Sequence, residues 1–496
     1  MILFPASSPG GTTADAFRAL CDDGTPWLSQ GAFWHREDQT MPLNESLEQY
    51  KAELLQSLEV DDRERLNAQL PELRSADIAE ILQDLLEDDD ELRARALLDS
   101  LPLERQASVL GYLHGEEQLV FTSAMRNDKL QAVLEDMGAD ERTDLFKVLD
   151  EDRREVLLRR MAHQEREELM RLASYEEGTA GALMTSDYVA IPMGMTVSRA
   201  MMRVRQTAPD AETVYQLYVL DADGRPAGTM SLRQLMVARP GARVDELMIR
   251  DVIHATVDTP QEEVARLVAR YDLLAVPVVD EERRLVGIVT HDDALDVVES
   301  EATEDIHKGM SIGQLEDGVS RVPLLSLYRK RVTWLVLLVF GNLLSGAGIA
   351  HFEETIAAQV ALVFFLPLLI GSGGNAGAQA ATLMVRGMAT GDVGVRDWGK
   401  LLGRELLVAG SLGLTMALAV APIGVMRGGE AVALVVAVSM ISIVLFGSLL
   451  GMCLPFLLDR FGWDPATASA PLVTTLIDAS GVLIYFSFAT LILSSG

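Results

Sequence analysis

The chain is 496 residues long, is 49% hydrophobic, and sets 42 Lys+Arg against 73 Asp+Glu for a formal charge of −31. The length admits several domains. The acidity repels phosphate and attracts cations, which excludes nucleic acid as a partner, and two cysteines, Cys21 and Cys453, exclude a disulfide framework and fit a reducing compartment. Residues 1–328 hold 33 basic and 64 acidic residues, whereas residues 329–496 hold nine of each. An acidic soluble part is therefore joined to a neutral apolar one. The opening MILFP has no basic n-region and no long apolar core, so no secretory signal is expected and the soluble part should stay in the cytosol.

Residues 1–45 mix Gly, Ser, Thr and Pro with Trp- and Phe-containing patches and show no period, which reads as an irregular arm. From 46 to 175 the pattern is helical: Ile78, Ile81, Leu82 and Leu85 recur at 3.6-residue spacing, as do Val109, Leu110 and Leu113. Breaks at Leu70-Pro71, Leu101-Pro102 and Gly138 predict short helices of similar length, stacked into a small superhelix. The five acids from Glu87 to Glu91 read as a solvated turn.

Residues 176–300 change grammar to short β-branched runs alternating with helices, and the pattern occurs twice. Val219, Asp221, Arg225, Gly228 and Ser231 recur 59 residues later as Val278, Asp280, Arg284, Gly287 and Thr290. Leu183, Met184 and Asp187 recur 64 residues later as Leu247, Met248 and Asp251. This resembles a tandem CBS pair, a module that senses a ligand rather than performing chemistry.

Residues 301–328 form an acidic and then amphipathic connector ahead of Arg329-Lys330-Arg331. Apolar spans follow at about 332–352, 355–389, 398–425, 431–458 and 466–494. Each can cross a hydrocarbon core of ~30 Å, which needs about 20 helical residues. The second is long enough that it must tilt or break at its GSGGN, residues 371–375. With the N-terminus inside, the inner flanks hold Arg329, Lys330, Arg331, Arg386, Arg396, Lys400, Arg404 and Arg460, and the outer flanks only Arg427. That obeys the positive-inside rule with five spans and an outside C-terminus. The expected fold is a multidomain membrane protein: an all-α superhelical N-terminal domain, an α+β tandem CBS pair and a five-helix α transmembrane domain at 329–496.

Asp478 sits inside the last span, where a carboxylate costs roughly 2.5 to 3.5 kcal/mol on insertion scales and is rarely idle. Ala470, Thr474, Gly481 and Tyr485 share its stripe. The second span adds a polar stripe of Ser372, Asn375, Gln379, Thr382 and Arg386, which serves either helix–helix contact or an ion path. GSGGN lacks the Lys and the preceding strand of a phosphate loop. Mg²⁺ keeps several waters and is held by one or two carboxylates, so one Asp per subunit across a two-fold axis suits a hydrated divalent ion. From residues alone, the metal is not chosen. Glu301, Glu304 and Asp305 share one helix face near Asp292, Asp293 and Asp296, and like charges so gathered repel unless cations intervene.

PLVTTLIDASG, GSGGNAGAQAATLMVRGMATGDV and EATEDIHK, in a chain with a CBS pair and a helical N-terminal domain, resemble the MgtE family of magnesium channels over about residues 46–496. The resemblance implies a homodimer in the cytoplasmic (inner) membrane, with Mg²⁺ both transported and regulatory and a pore on the two-fold axis. Cytosolic Mg²⁺ would lock the connecting plug helices and close that pore. It assigns Asp478 and Asn375 to the pore beside Thr474. It assigns Glu262, Asp272, Asp293 and Asp296, with the Ala269 carbonyl, to regulatory metal in the CBS half. To the same role it assigns Glu301, Glu304 and Asp305 in the plug, Asp464 before the last span, and Asp140 and Asp144 in the N-terminal domain. Ser108 stands where the family pattern has a further glutamate, so one metal contact is either missing or supplied from elsewhere. ATP between the CBS halves stays an option, although Leu273 follows Asp272 where an aromatic could have stacked on adenine. Two other readings are an ion-coupled divalent carrier, which would want a second buried ionisable group, and a membrane-anchored Mg²⁺ or nucleotide sensor, which would not need Asp478.

Overall fold

The computed structural model describes residues 51–57, 69–312, 322 and 324–494. The arm at 1–45 and connector residues 313–321 and 323 lie outside the described residues. The helical region opens with α1 (Ser75–Glu87), α2 (Glu91–Asp99), α3 (Leu103–Gly111) and α4 (Gly115–Ser123). It continues with α5 (Asn127–Asp136), α6 (Ala139–Val148), α7 (Glu151–Arg160) and α8 (His163–Leu172). The expected breaks are helix starts: Pro71 lies in a 3₁₀ turn, Pro102 caps α3 and Gly138 caps α6. Asp90, from the run of acids, accepts a hydrogen bond from the Arg93 amide and so starts α2. Ile78, Ile81, Leu82 and Leu85 are buried with Leu97, Leu110 and Leu130 in one core. Arg105 of α3 donates to the Leu70 and Leu73 carbonyls at 2.7 and 2.6 Å, tying α3 back to the 3₁₀ turn ahead of α1.

The repeated region holds two three-stranded sheets. β1 (Tyr188–Pro192), α9 (Val197–Thr207), β2 (Thr213–Leu220), β3 (Pro226–Ser231) and α10 (Leu232–Val237) make the first copy. β4 (Ala255–Thr256), α11 (Gln261–Tyr271), β5 (Ala275–Val279), β6 (Leu285–Thr290) and α12 (His291–Gly309) make the second. In each, the outer pair is parallel and the next antiparallel. The copies exchange their leading segments. Thr185 and Ile288 trade backbone hydrogen bonds at 2.9 Å, and Ile249 trades them with Thr229 at 2.8 and 2.9 Å. Gly287 lies under Met184 and Gly228 under Met248, with a Cβ on either glycine falling 2.5 or 2.6 Å from the sulfur. The two sequence offsets thus reflect one exchange, in which each repeated Met covers the other copy's repeated Gly. α12 runs through residue 300 without interruption, so Glu301, Glu304 and Asp305 share a helix with Asp293 and Asp296.

The apolar half comprises α13 (Leu324–His351), α14 (Ala361–Ala389), α15 (Trp398–Arg460) and α16 (Ala470–Ser494), all long and apolar enough to cross a membrane. α15 turns at Gly429, whose φ of 80° and ψ of −175° break the helix. Its two arms fold back on each other: a Cβ at Gly424 would meet Ala433 Cα at 2.7 Å, and one at Gly413 would meet Ile441 Cα at 2.9 Å. The structure corrects the second span. Residues 353–358 are a separate short helix, α14 begins at Ala361, and it continues unbroken through GSGGN. Glycines there serve packing, not a break. Its 29 residues extend about 43 Å, so tilt takes up the excess over the membrane core.

Gly373 and Gly377 of α14 face Gly447 and Gly451 of α15, four residues apart on both helices. A Cβ at Gly447 would lie 2.5 Å from the Gly373 carbonyl oxygen, one at Gly377 would lie 2.8 Å from the Gly447 oxygen, and one at Gly451 would overlap the Gly377 oxygen. Between helices in lipid, such backbone approach replaces the missing hydrophobic drive. Tyr485 donates to the Leu362 carbonyl at 3.0 Å and fixes α16 on the same frame. Gly451→Val should cost about 1–3 kcal/mol by overpacking. It should lower the melting temperature of the detergent-solubilised chain by several degrees, while Gly410→Val, at an open position, should leave it unchanged.

Candidate cation sites

Asp478 stands on α16, half-buried, and its carboxylate has no hydrogen bond or ion pair with any described residue. Thr474, one turn earlier, donates to the Pro471 carbonyl at 3.0 Å, which leaves its hydroxyl oxygen free to accept. Thr474 Cγ2 lies 3.3 Å from the point a Gly374 Cβ would occupy, so the GGN element of α14 passes directly beside it. Asn375 and Gln379 are exposed on the outside of the single chain. Arg386 is exposed and makes no ion pair with Asp478.

The regulatory acids fall into two groups. The first lies where α6, the strand-entry segment before β2 and the start of α12 meet. It holds Asp140 and Asp293, together with Glu141 and Glu212, which sequence reasoning missed. Burial, then the charge of Glu212, raises the Asp140 carboxyl to about 6. Burial, then Asp140, raises Glu141 to about 7. Burial raises Asp293 to about 7, with Asp140 adding and the Thr290 hydroxyl, which donates to it at 2.6 Å, opposing. Glu212 is exposed on its outer side, yet partial desolvation and then Asp293 and Asp292 raise it too. Asp144 stands one turn beyond Asp140 and pairs with Lys147 at 3.3 Å. Asp296, on the exposed side of α12, is raised by partial burial and then by Asp292 and Glu299, with His114 opposing. Asp272 is an exposed left-handed cap of α11, φ 51°, and with Ala269 it joins neither group.

The second group is the joint between the soluble and apolar halves. Glu262, Arg266, Asp305, Ala389, Asp459 and Asp464 line a cavity of about 250 Å³. Burial, then Glu301, raises Glu262, and burial, then Asp464, raises Asp305. Two cations of the chain already work here. Arg266 donates to the Ala389 carbonyl at 2.7 Å while pairing with Glu262 at 3.3 Å. Lys308 bridges Asp464 at 2.6 Å and Glu304. Burial works against the Lys308 charge, but these two carboxylates raise its pKa above the ordinary lysine value. Asp464 also accepts from the Ala466 amide, and the hydroxyls of Ser311 and Ser469 meet at 2.5 Å. Glu301 accepts from Gln261 at 2.6 Å.

Among the described residues, no three His, Cys, Asp or Glu side chains meet as a ready-made metal site. The first group nevertheless fits a hard cation. Asp140 Oδ1 is buried with no partner, and Gly138 leaves open the point on which the carboxylates converge. All donors are oxygens, as Mg²⁺ requires. Glu141 adjoins Asp140 in sequence and could have been suspected. Glu212 had no local signal, because only the tertiary fold carries it there.

Because these carboxyls titrate higher folded than unfolded, their contribution is present at low pH and is lost as pH rises through about 6 to 7. In metal-free buffer the soluble half should therefore melt at higher temperature at pH 5.5 than at pH 8. Asp293→Asn should narrow that difference, and a difference unchanged in the variant would contradict the assignment.

Three stretches of the chain match known protein families. Residues 366–488 match the MgtE family, described as divalent cation transporter. Residues 73–178 match the MgtE intracellular N domain, and 180–241 and 244–300 match the CBS domain. The chain is 42% identical over 419 residues to the magnesium transporter MgtE of Thermus thermophilus, covering 83% of this chain and 93% of that one. It is 35% identical over 427 residues to magnesium transporter MgtE of Bacillus subtilis, covering 86% and 93%. A crystal structure of the cytosolic domain of the Mg²⁺ channel MgtE in complex with ATP aligns at 40% identity, with a TM-score of 0.47, over 50% of this chain and 99% of that one.

Proposed function

The chain belongs to the MgtE family of divalent cation transporters, and from that premise we propose that it is a Mg²⁺-selective channel for magnesium uptake, shut by cytosolic Mg²⁺. The observation that carries the reading is Asp478: an unpaired carboxylate on an apolar helix, beside Thr474 and the GGN of α14. A charge so placed is expensive unless a cation passes it. Mg²⁺ sheds its waters reluctantly, so two copies of Asp478 across a homodimer axis would hold a hydrated ion between them. The nearly bare apolar surface of α13, with 6% of its most apolar window buried, leaves room for a second copy and for lipid.

On this reading the two arms of α15 are separate spans, which gives five crossings of the inner membrane, a cytosolic N-terminus and an outside C-terminus. The outer flank carries Arg427 alone among basic residues, stacked 4.6 Å over Phe364. The domains run 46–175, 176–300 and 329–496, joined by the connector. Asp140 with Asp293, and Glu262 with Glu301, Glu304, Asp305 and Asp464, are the regulatory acids best supported by proximity. Bound Mg²⁺ would offset their mutual repulsion. ATP at the CBS pair gains no support from Leu273, which packs against the second copy's core.

Reconstituted into proteoliposomes, Asp478→Ala should lose at least about tenfold of its Mg²⁺ flux, equivalent to ~1.4 kcal/mol; flux equal to wild type removes the pore assignment. Asp293→Asn combined with Glu301→Gln should stay conducting at cytosolic Mg²⁺ levels that silence the wild type. Retained shutdown in that double variant would remove the gating assignment and leave the pore untouched.

A further inference from the structure

The start of α15 carries charge that the chain itself does not use. Arg396, Lys400 and Arg404 follow one another at intervals of four, all exposed, and none enters an ion pair or a side-chain hydrogen bond among the described residues. The acids just ahead are turned elsewhere: Asp392 accepts from the Thr390 hydroxyl at 3.2 Å, and Asp397 from the Gly394 amide at 3.2 Å. Glu405 stands about 100° round the helix from Arg404. Asp397 precedes α15 yet gives no oxygen to its first amides, so the positive end of the helix dipole adds to the same field. A Cβ added at Gly399 or Gly403 would meet nothing within 4 Å, so this end of the helix stands open.

Beyond the cations the same face turns apolar. Lys400, Arg404, Leu407, Ser411, Leu414 and Leu418 step by four and three in alternation, which is one stripe of a helix, and every one of them is exposed. Ser411 spends its hydroxyl on the Leu407 carbonyl at 2.7 Å, so the stripe offers no free donor there. From Arg404 to Leu414 it runs about 15 Å, half of the ~30 Å hydrocarbon core and so the depth of one leaflet.

Aromatic side chains mark the level of the cations. Trp398 is exposed and comes against Cys453 of the returning arm. The two arms of α15 thus end side by side, which brings Arg460, Phe461 and Trp463, all exposed, near the level of Arg396. Exposed tryptophan beside unpaired cations is the composition of a membrane–water boundary. A second copy of the chain suits this stripe poorly, because a two-fold contact here would set Lys400 and Arg404 against the same cations of the other copy.

We propose that the start of α15 is a site for an anionic phospholipid. Arg396, Lys400 and Arg404 hold its headgroup, Trp398 lies at the boundary beside them, and Leu407, Leu414 and Leu418 carry an acyl chain. Each cation beside an anionic membrane surface strengthens the attraction roughly fivefold, whereas a zwitterionic headgroup offsets its own phosphate and gains little. From the channel reading the inference takes only that α15 begins at the inner face.

Melting of the full chain in neutral detergent, with phosphatidylglycerol or phosphatidylcholine of the same acyl chains added, tests it, because a ligand that binds only the folded state raises the melting temperature. Phosphatidylglycerol should raise the wild type by several degrees more than phosphatidylcholine; equal rises overturn the proposal. Arg396→Gln combined with Lys400→Gln and Arg404→Gln should melt like the wild type without lipid. It should need about a hundredfold more phosphatidylglycerol for the same rise. An undiminished response overturns the proposal, and a loss of oligomeric mass alongside it gives the stripe to a second copy. Should the triple variant melt lower without lipid, Arg396→Lys with Arg404→Lys decides: a full response marks headgroup binding, and one as weak as that of the triple variant marks packing and overturns the proposal. Glycerophosphate alone should give no rise; a rise equal to that from the lipid assigns the cations to a soluble phosphate and overturns the lipid. Arg427→Gln, at the other end of the same arm, keeps the full response. Asp478→Ala keeps it too, so undiminished flux in Asp478→Ala would sink the pore assignment while leaving this site standing.

Discussion

Repulsion among carboxylates is the interaction on which this structure turns. The excess of acids lies wholly before residue 329, and the fold does not spread it evenly over the surface. It gathers Asp140, Glu141, Glu212 and Asp293 where three elements meet, and Glu262, Glu301, Asp305 and Asp464 where the soluble part meets the apolar part. Solvent cannot fully screen charges placed so, and burial is the first cause of each raised carboxyl in the first group. Contacts of this kind hold firmly only when protons or cations enter.

The joint between the halves shows which side chains tie the CBS region to the apolar helices. Arg266 reaches the Ala389 carbonyl at the end of α14, and Lys308 reaches Asp464 ahead of α16. These two arms end on α14, which carries GSGGN, and on the turn leading into α16, which carries Asp478. The CBS helices α11 and α12 are thus bonded to the end of α14 and to the turn ahead of α16. Lys308 places a tethered ammonium between Glu304 and Asp464, so the chain itself offsets part of their repulsion. α14 is in turn stiffly coupled to α15, since the Gly373–Gly447 and Gly377–Gly451 pairs bring backbones into direct contact.

Much of the architecture was legible because it rests on periodicity. The 3.6-residue spacing from Ile78 to Leu85, the punctuation by Pro71, Pro102 and Gly138, and the twofold repeat all survive as elements. For the second span the sequence left tilt or a break at GSGGN open, and only the fold decided for an unbroken, tilted helix. Glycine weakens an isolated helix by about 1 kcal/mol relative to Ala, but here the neighbouring backbone of α15 occupies the space the side chains vacate. The candidate site was half legible: Asp293, Glu301 and Asp478 stood out by charge pattern and position and Asp140 by the family resemblance, whereas Glu212 lies in a loop whose acidic neighbours Asp140, Glu141 and Asp293 are 70 or more residues away in sequence.

The sequence by itself determined the partition into an acidic soluble part and a neutral apolar part, the repeat, and the lone carboxylate of the last span. These follow from composition and short-range spacing, which need no knowledge of the fold. Only the tertiary structure decided which acids become neighbours, because like charges come together only where burial of apolar surface elsewhere overrides their repulsion. It likewise decided that Lys308 and Arg266 bridge the two halves, and that Gly138 leaves an open point ringed by carboxylates.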